Sequence, residues 1–115
     1  MDVASLVQLI AKAAGEKKAE RMTSQDLRGI SSLCDYQVIC SGNNERQTQA
    51  ICSHIEDTLR IEASVKPLAI EGKQTGNWIL MDYGDVMIHI FLDSLRDYYG
   101  LERLWPKAAV TSIEV

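Results

Sequence analysis

The 115-residue sequence lacks the features by which small proteins are cross-linked, attached to membranes or secured by metal. Its three cysteines are odd in number and show no C-x-x-C spacing, which predicts reduced thiols and argues against a disulfide framework or a zinc site. No apolar run approaches the roughly 20 residues that cross a bilayer, so we expect no membrane partner. Aromatic residues are scarce, at 6%, but hydrophobic residues make up 46% of the chain. That share is sufficient for the core of one globular domain.

An excess of basic residues is also missing. Twelve Lys and Arg residues against sixteen Asp and Glu residues give a formal net charge of -4. A mildly acidic domain has no electrostatic preference for nucleic acid, and its charge suits a basic protein partner. The first residues show neither the basic-then-apolar layout of a secretion signal nor an Arg/Ser-rich transit segment, which predicts a cytoplasmic location.

The most informative stretch is residues 77–92, NWILMDYGDVMIHIFL. Two runs of strand-forming residues, 78–81 and 86–91, flank a short acidic break that contains Gly84. Because glycine adopts the positive φ of a tight reversal, this stretch predicts a β-hairpin whose tip exposes two carboxylates and a tyrosine. Both faces of the second arm are mostly apolar, so that strand should be central and covered on both sides.

Helix signals precede the hairpin. Asp2 can cap a first amphipathic helix over residues 2–14, and Gly15 can end it. An Asn at the cap position with Gln47 three residues later resembles a capping box for a second helix, from about residue 45 to residue 61. The apolar stripe of that second helix should pack on a sheet; its members are Thr48, Ile51, Cys52, Ile55 and Leu59.

The strands and the last helix complete the fold prediction. Residues 35–40 and 67–71 read as short strands, and a strand within the polar residues 19–27 would lie at a sheet edge. Asp93 can cap a final helix that bends at Gly100 and stops at Pro106. The order predicts an α/β fold with a mixed β-sheet of about five strands and helices packed on it. We expect a single domain over residues 1–106 and a mobile tail over residues 107–115.

Two acidic residues at the hairpin tip are the first candidates for chemistry. Carboxylates that share a metal on a strand usually stand at i and i+2, where the pleat points them the same way. Asp82 and Asp85 stand at i and i+3 across a turn, so their oxygens need not converge. A hairpin cap or a solvated corner is therefore favoured over catalysis, and a surface for a basic partner stays open.

Other reactive side chains have simpler structural interpretations. His89 alternates with apolar residues in a central strand, which favours a hydrogen-bonded interior or interface histidine over a metal ligand, and no partner stands at metal spacing. The Ser41-Gly42 pair lies between a strand and a helix but lacks the glycines and lysine of phosphate-binding loops. Cys40 and Cys52 sit in apolar patterns and are expected in the core. No metal, cofactor or catalytic residue is predicted.

Trp78 is a different case, because it follows a polar loop and opens a hairpin arm. An aromatic residue beside acids and Tyr83 suits a protein-binding anchor, since Trp and Tyr dominate interface hot spots. Packing in the core is the equal alternative for this tryptophan.

These residues also carry a family resemblance. The hairpin stretch, followed by Arg96, Tyr99 and LERLW at 101–105, resembles the ribosomal silencing factor family, also called RsfS or Iojap. The earlier stretch SSLCDYQVICSG at 31–42 and IEG at 70–72 stand where that family has its counterparts. The resemblance covers about residues 5–105.

The resemblance implies a small homodimeric factor without catalytic activity or cofactor, with a nucleotidyltransferase-like topology. Such factors bind the large ribosomal subunit through ribosomal protein fourteen and block joining of the small subunit, which represses translation; relatives in organelles act in large-subunit assembly. Carried over by position, the partner-facing residues are Trp78, Asp82, Tyr83, Gly84 and Asp85.

Two departures and two rival functions accompany this reading. The family usually has an aliphatic strand where this chain has AERMTSQDL, and often Leu where it has Tyr83. A nucleotidyltransferase-like enzyme would need a Gly-Ser turn and two carboxylates on one strand face. A large-subunit assembly factor would share the partner and differ in timing.

For the dimer, the sequence offers two patches: Met87, His89 and Phe91, or the apolar side of the last helix.

Overall fold

The structure, a computed structural model, describes residues 2–100 and 110–113. Its helices and strands follow the order that the sequence predicts, with one strand added at the end. In chain order they are α1 (Val3–Glu16), β1 (Glu20–Asp26), β2 (Tyr36–Gly42), α2 (Glu45–Ala63), β3 (Ala69–Glu71), β4 (Trp78–Asp82), β5 (Val86–Leu92), α3 (Asp93–Tyr99) and β6 (Val110–Ser112).

Helix α1 begins at the predicted cap. The side chain of Asp2 accepts a hydrogen bond from the Ser5 amide at 2.8 Å, which satisfies one of the free donors of the first turn. The helix passes through Gly15 and ends at Glu16, so the predicted stop comes too early. Its apolar residues Val7 and Ile10 are buried against the sheet and α2.

Helix α2 has the predicted capping box. The Asn44 side chain accepts from the Gln47 amide at 2.8 Å, and the Gln47 side chain accepts from the Asn43 amide at 2.7 Å. The predicted stripe is buried in full, and the helix ends at Ser64 in the left-handed conformation. Among the described helices, none is both long and apolar enough to cross a bilayer.

The six strands form one mixed sheet in the order β3-β4-β5-β2-β1-β6. Among the described strands, β2 and β5 alone pair in parallel, with Cys40 opposite Ile90, and the other pairs are antiparallel. Helices α1 and α2 cover one face, where Ile79 and Ile90 are fully buried. Helix α3 lies on the opposite face. The prediction that β5 is central and covered on both sides is confirmed.

Strand β1 is not at the sheet edge, which corrects the expectation for residues 19–27. It pairs with β2 on one side and with β6 on the other, so Val110–Ser112 supply a sixth strand that the sequence did not predict. A three-residue strand without apolar alternation leaves no periodic signal. Residues 110–112 of the predicted tail thus belong to the sheet, and the domain limit at residue 106 and the mobility of the rest of the tail stay predictions, since residues 101–109 and 114–115 lie outside the described part.

Helix α3 runs from Asp93 to Tyr99 and is interrupted at Gly100, where the sequence predicts a bend. Leu92 holds the cap position without a side-chain hydrogen bond and Asp93 is the first helical residue, so the predicted cap at Asp93 is wrong; Gly100 follows the helix in the left-handed conformation with φ 56°. Arg21 of β1 anchors the helix through ion pairs to Asp93 (3.0 Å) and Asp97 (2.8 Å). The remainder of the predicted helix, up to Pro106, lies outside the described residues.

Candidate partner-binding surface

Strand β4 shows a strict alternation between buried and accessible side chains. Ile79 and Met81 are completely buried, whereas Trp78, Leu80 and Asp82 are half-buried. Because successive side chains of a strand point to opposite faces, these three lie in a row on the face away from α1 and α2. We call this row of Trp78, Leu80 and Asp82 the β4 row.

Trp78 is packed on its inner side and accessible on its outer side. Its indole Nε1 donates a hydrogen bond to Nδ1 of His89 at 3.1 Å, and its ring stacks on Phe91 with centroids 5.1 Å apart. Tyr99 of α3 packs against the same indole at 4.7 Å. Trp78 is thus packed against a cluster of rings and stays half-exposed, so its role as a protein-binding anchor remains a prediction.

His89 is the interior histidine that the sequence predicts. It is 7% exposed, and burial lowers its pKa from the ordinary 6.5 to about 4. The ring is therefore neutral at physiological pH, and its unprotonated Nδ1 can accept the bond from Trp78. The hydrogen bond to buried His89 thus fixes the orientation of the Trp78 indole.

The hairpin tip is an ordered turn. The Asp82 side chain accepts from the Gly84 amide at 2.8 Å, while Gly84 adopts φ 81°. The carbonyl oxygen of Asp85 accepts from the amides of Asp35 (2.8 Å) and Tyr36 (3.0 Å), which ties the tip to the start of β2. The carboxylate of Asp85 is exposed. Asp82 is therefore the hairpin cap that the sequence favours, and its carboxylate is held in place.

Tyr83 does not lie on the exposed surface of the tip, contrary to the sequence-based expectation. It is 8% exposed and belongs to the core beside α2, because the alternation of β4 continues one residue past Asp82. Burial raises the pKa of its phenol, and among the described residues its hydroxyl has no hydrogen-bond partner. Tyr83 supports the tip from inside the protein.

Sequence reasoning missed two accessible residues of this surface, one in the β4 row and one beside it. Leu80 belongs to the row, and Glu71 of β3 stands directly opposite it in the antiparallel register. Glu71 is exposed. The period-two pattern of β4 could have identified Leu80, whereas placing Glu71 needed the register between two strands that an irregular loop separates.

The first dimer patch suggested by the sequence is mostly covered in this fold. Phe91 is fully buried and His89 nearly so, both beneath the rings of Trp78 and Tyr99, and only Met87 is half-buried. Of that patch, only Met87 is accessible to a second copy.

The groups considered for catalysis have structural roles. Ser41 and Gly42 are part of β2 and form no turn, and the Ser41 hydroxyl accepts from buried Arg96 at 3.0 Å. Burial raises the pKa of Cys40 to about 12 and that of Cys52 to about 11, so both thiols stay protonated at neutral pH. Within residues 2–100 and 110–113, no group of three or more His, Cys, Asp or Glu side chains could hold a metal ion.

Known proteins resemble this chain over nearly its whole length. A family model described as "Ribosomal silencing factor during starvation" matches residues 1–115. The ribosomal silencing factor RsfS of Halalkalibacterium halodurans is 38% identical over 109 residues, which are 95% of this chain and 92% of that protein.

The fold has a similar counterpart as well. The crystal structure of protein CV0518 from Chromobacterium violaceum superimposes with a TM-score of 0.88 at 31% identity and covers 92% of this chain and 88% of that one. A more distant relative, the mouse "Mitochondrial assembly of ribosomal large subunit protein 1", is 34% identical over 73 residues, 62% of this chain and 32% of its own length.

Proposed function

Because the chain belongs to the ribosomal silencing factor family, we propose that it binds the large ribosomal subunit and represses translation by preventing the small subunit from joining. The contact we propose is ribosomal protein fourteen of the large subunit, as the family resemblance implies. The protein acts in the cytoplasm, without a cofactor and without catalysis. It recognises a protein surface and has no direct specificity for nucleic acid.

The β4 row and the hairpin tip are the observation that supports this proposal. Trp78 offers a half-exposed, pre-oriented ring, and Asp82 and Asp85 offer carboxylates on either side of the Gly84 turn. Interfaces concentrate their binding energy in such aromatic anchors, and complementary charge adds specificity and speed of association. An acidic, aromatic surface on a protein of net charge -4 suits a basic ribosomal protein.

The proposed mechanism is steric exclusion. A folded domain with dimensions of about 35 × 34 × 25 Å, bound beside the surface where the small subunit docks, occupies space that the joined ribosome needs. No bond is made or broken, and the effect depends only on occupancy of the site. Repression should therefore saturate as the large subunits become fully bound.

A subunit-joining assay tests this function directly. Purified small and large subunits are mixed at a magnesium concentration that favours joining, with increasing amounts of the protein, and the joined fraction is measured by sedimentation. We expect the joined fraction to fall as the protein co-sediments with large subunits. Unchanged joining at full occupancy of the large subunit would contradict the proposal.

The mouse relative favours a second candidate, a role in assembly of the large subunit. This role uses the same partner and differs in timing. Depletion of the protein from growing cells separates the two. An assembly factor predicts that incomplete large subunits accumulate, whereas a silencing factor predicts normal subunits and excess translation during starvation.

We also propose a homodimer, with the accessible side of the last helix as the contact, since most of the alternative patch is buried. Light scattering at tens of micromolar protein measures the mass directly. A monomer mass of 12.8 kDa would contradict the dimer and leave the ribosomal role intact.

A further inference from the structure

A cleft of about 240 Å³ opens beside the β4 row, at the edge of the sheet. Trp78 and Leu80 supply apolar surface, Gly72 supplies bare backbone, and Glu71 supplies a carboxylate. The antiparallel pairing of β3 and β4 sets Glu71 opposite Leu80, so the acid and the apolar surface form one continuous site.

The backbone of this cleft has a fixed shape. Gly72 adopts φ 81°, and a Cβ atom on it would lie 2.1 Å from the carbonyl oxygen of Trp78. The chain after β3 therefore lies directly against β4, with no side chain between them. This contact places the backbone next to Glu71 directly against Trp78.

The charge of Glu71 is available to a ligand. Among the described residues Glu71 forms no ion pair, and the nearest lysine along the chain, Lys73, lies 3.9 Å from Glu56 on α2. An exposed carboxylate beside an aromatic ring and a leucine matches one kind of side chain, a long aliphatic stem that ends in a cation.

We propose that this cleft takes one lysine or arginine side chain of the protein partner, with Glu71 as the specificity-determining residue. The stem packs on Leu80, the cation pairs with Glu71, and the face of Trp78 adds a cation–π contact. This inference rests on the proposed function for the identity of the partner, whereas the chemistry of the cleft stands on its own. A nucleic-acid phosphate would be repelled by the same carboxylate.

The first test uses large ribosomal subunits and two matched variants of the full chain. Glu71→Gln removes the charge from the cleft, and Glu62→Gln removes a charge that is also exposed but lies near the end of α2. We expect Glu71→Gln to weaken binding by about three- to tenfold, the range for an ion pair at a partly desolvated interface, and Glu62→Gln to leave it unchanged. Equal affinities of the two variants for large subunits would overturn the inference. The proposed function would still be upheld if the wild type binds large subunits.

A second measurement removes the ribosome from the test. Hexa-arginine and hexa-glutamate peptides are titrated into the protein while the indole N–H resonance of Trp78 is followed by NMR, with Trp105→Phe assigning the two indole signals. We expect a saturable shift with hexa-arginine in the wild type, a weaker one in Glu71→Gln, and none with hexa-glutamate. Equal shifts in wild type and Glu71→Gln would overturn the inference, even if the protein failed to bind large subunits.

Discussion

Trp78 and His89 lie on neighbouring strands and share a hydrogen bond of 3.1 Å from the indole N–H to the imidazole Nδ1. The donor belongs to a half-exposed ring, and the acceptor is almost completely buried. A neutral interior histidine therefore sets the orientation of a surface tryptophan. Because the ring is already held in one position, a partner that binds it would lose little side-chain entropy in doing so.

Truncation of this ring tests its role as an anchor. We expect Trp78→Ala to lower the affinity for large subunits by about 1 to 4 kcal/mol, which is the range for an aromatic hot spot. Co-sedimentation with purified large subunits measures the change, after circular dichroism has verified folding. Ile61→Ala is the matched control, because Ile61 is also an exposed apolar residue but lies on α2. Equal affinities for the two variants would remove Trp78 from the interface.

Protonation of His89 should destabilise the fold in acid. Its pKa is lowered to about 4 in the folded chain, against the ordinary 6.5 when unfolded, so between these values the unfolded chain binds more protons. Stability is therefore complete above about pH 6.5 and falls as the pH drops toward 4. At about 1.4 kcal/mol per pKa unit, this group accounts for a loss of about 3 kcal/mol.

Urea unfolding at a series of pH values measures this loss, and His89→Gln isolates it. The variant cannot titrate in this range, so the difference in unfolding free energy between wild type and variant should shrink as the pH falls. His54 pairs with Glu16 at 2.9 Å on the surface. It is present in both proteins, so it does not contribute to the difference between them. A difference that stays constant from pH 7 to pH 4 would show that His89 is not held neutral by burial.

Two glycines with similar positive φ angles allow the cost of backbone strain to be measured apart from the cost of a steric clash. Gly29 and Gly72 have φ of 76° and 81°, but a Cβ on Gly29 meets no atom within 4 Å, whereas one on Gly72 meets the Trp78 carbonyl at 2.1 Å. Gly29→Ala should therefore cost about 1 kcal/mol of unfolding free energy through strain alone. Gly72→Ala should cost at least about 2 kcal/mol, because the loop must also move away from β4. Similar values for the two variants in urea unfolding would contradict this close approach.

Local patterns predicted much of the fold, because they act within a few residues. The cap at Asp2, the Asn44–Gln47 box, the buried stripe of α2 and the central strand β5 all follow from periodicity and capping chemistry, and the structure confirms them. Strand β6 has no such pattern, since its three residues are ordered by pairing with β1 across a long separation in sequence. The edge position expected for residues 19–27 was wrong for this reason.

The candidate site was predicted in part. The sequence placed Asp82 correctly at the hairpin turn, whereas for Trp78 it left core packing and an exposed anchor as equal alternatives. It put Tyr83 on the same surface, although the pleat sends neighbouring residues to opposite faces. Glu71 could not be found without the register that sets it opposite Leu80.

The phenol of Tyr83 provides a test of its position in the core. Its hydroxyl is buried and, among the described residues, has no hydrogen-bond partner, so the folded state bears the desolvation of that group without compensation. Tyr83→Phe keeps the ring and removes the hydroxyl. We therefore expect the variant to be as stable as the wild type, or more stable by up to about 1 kcal/mol in urea unfolding.

The same variant also tests whether Tyr83 belongs to the partner surface. Since the ring packs inside the domain, Tyr83→Phe should bind large subunits as tightly as the wild type does. Tyr83→Ala is the contrasting variant, because it opens a cavity in the core and should cost about 3 to 5 kcal/mol of unfolding free energy. If Tyr83→Phe kept its stability but lost binding, the hydroxyl would have to reach the partner, and the inward orientation of this side chain would be wrong.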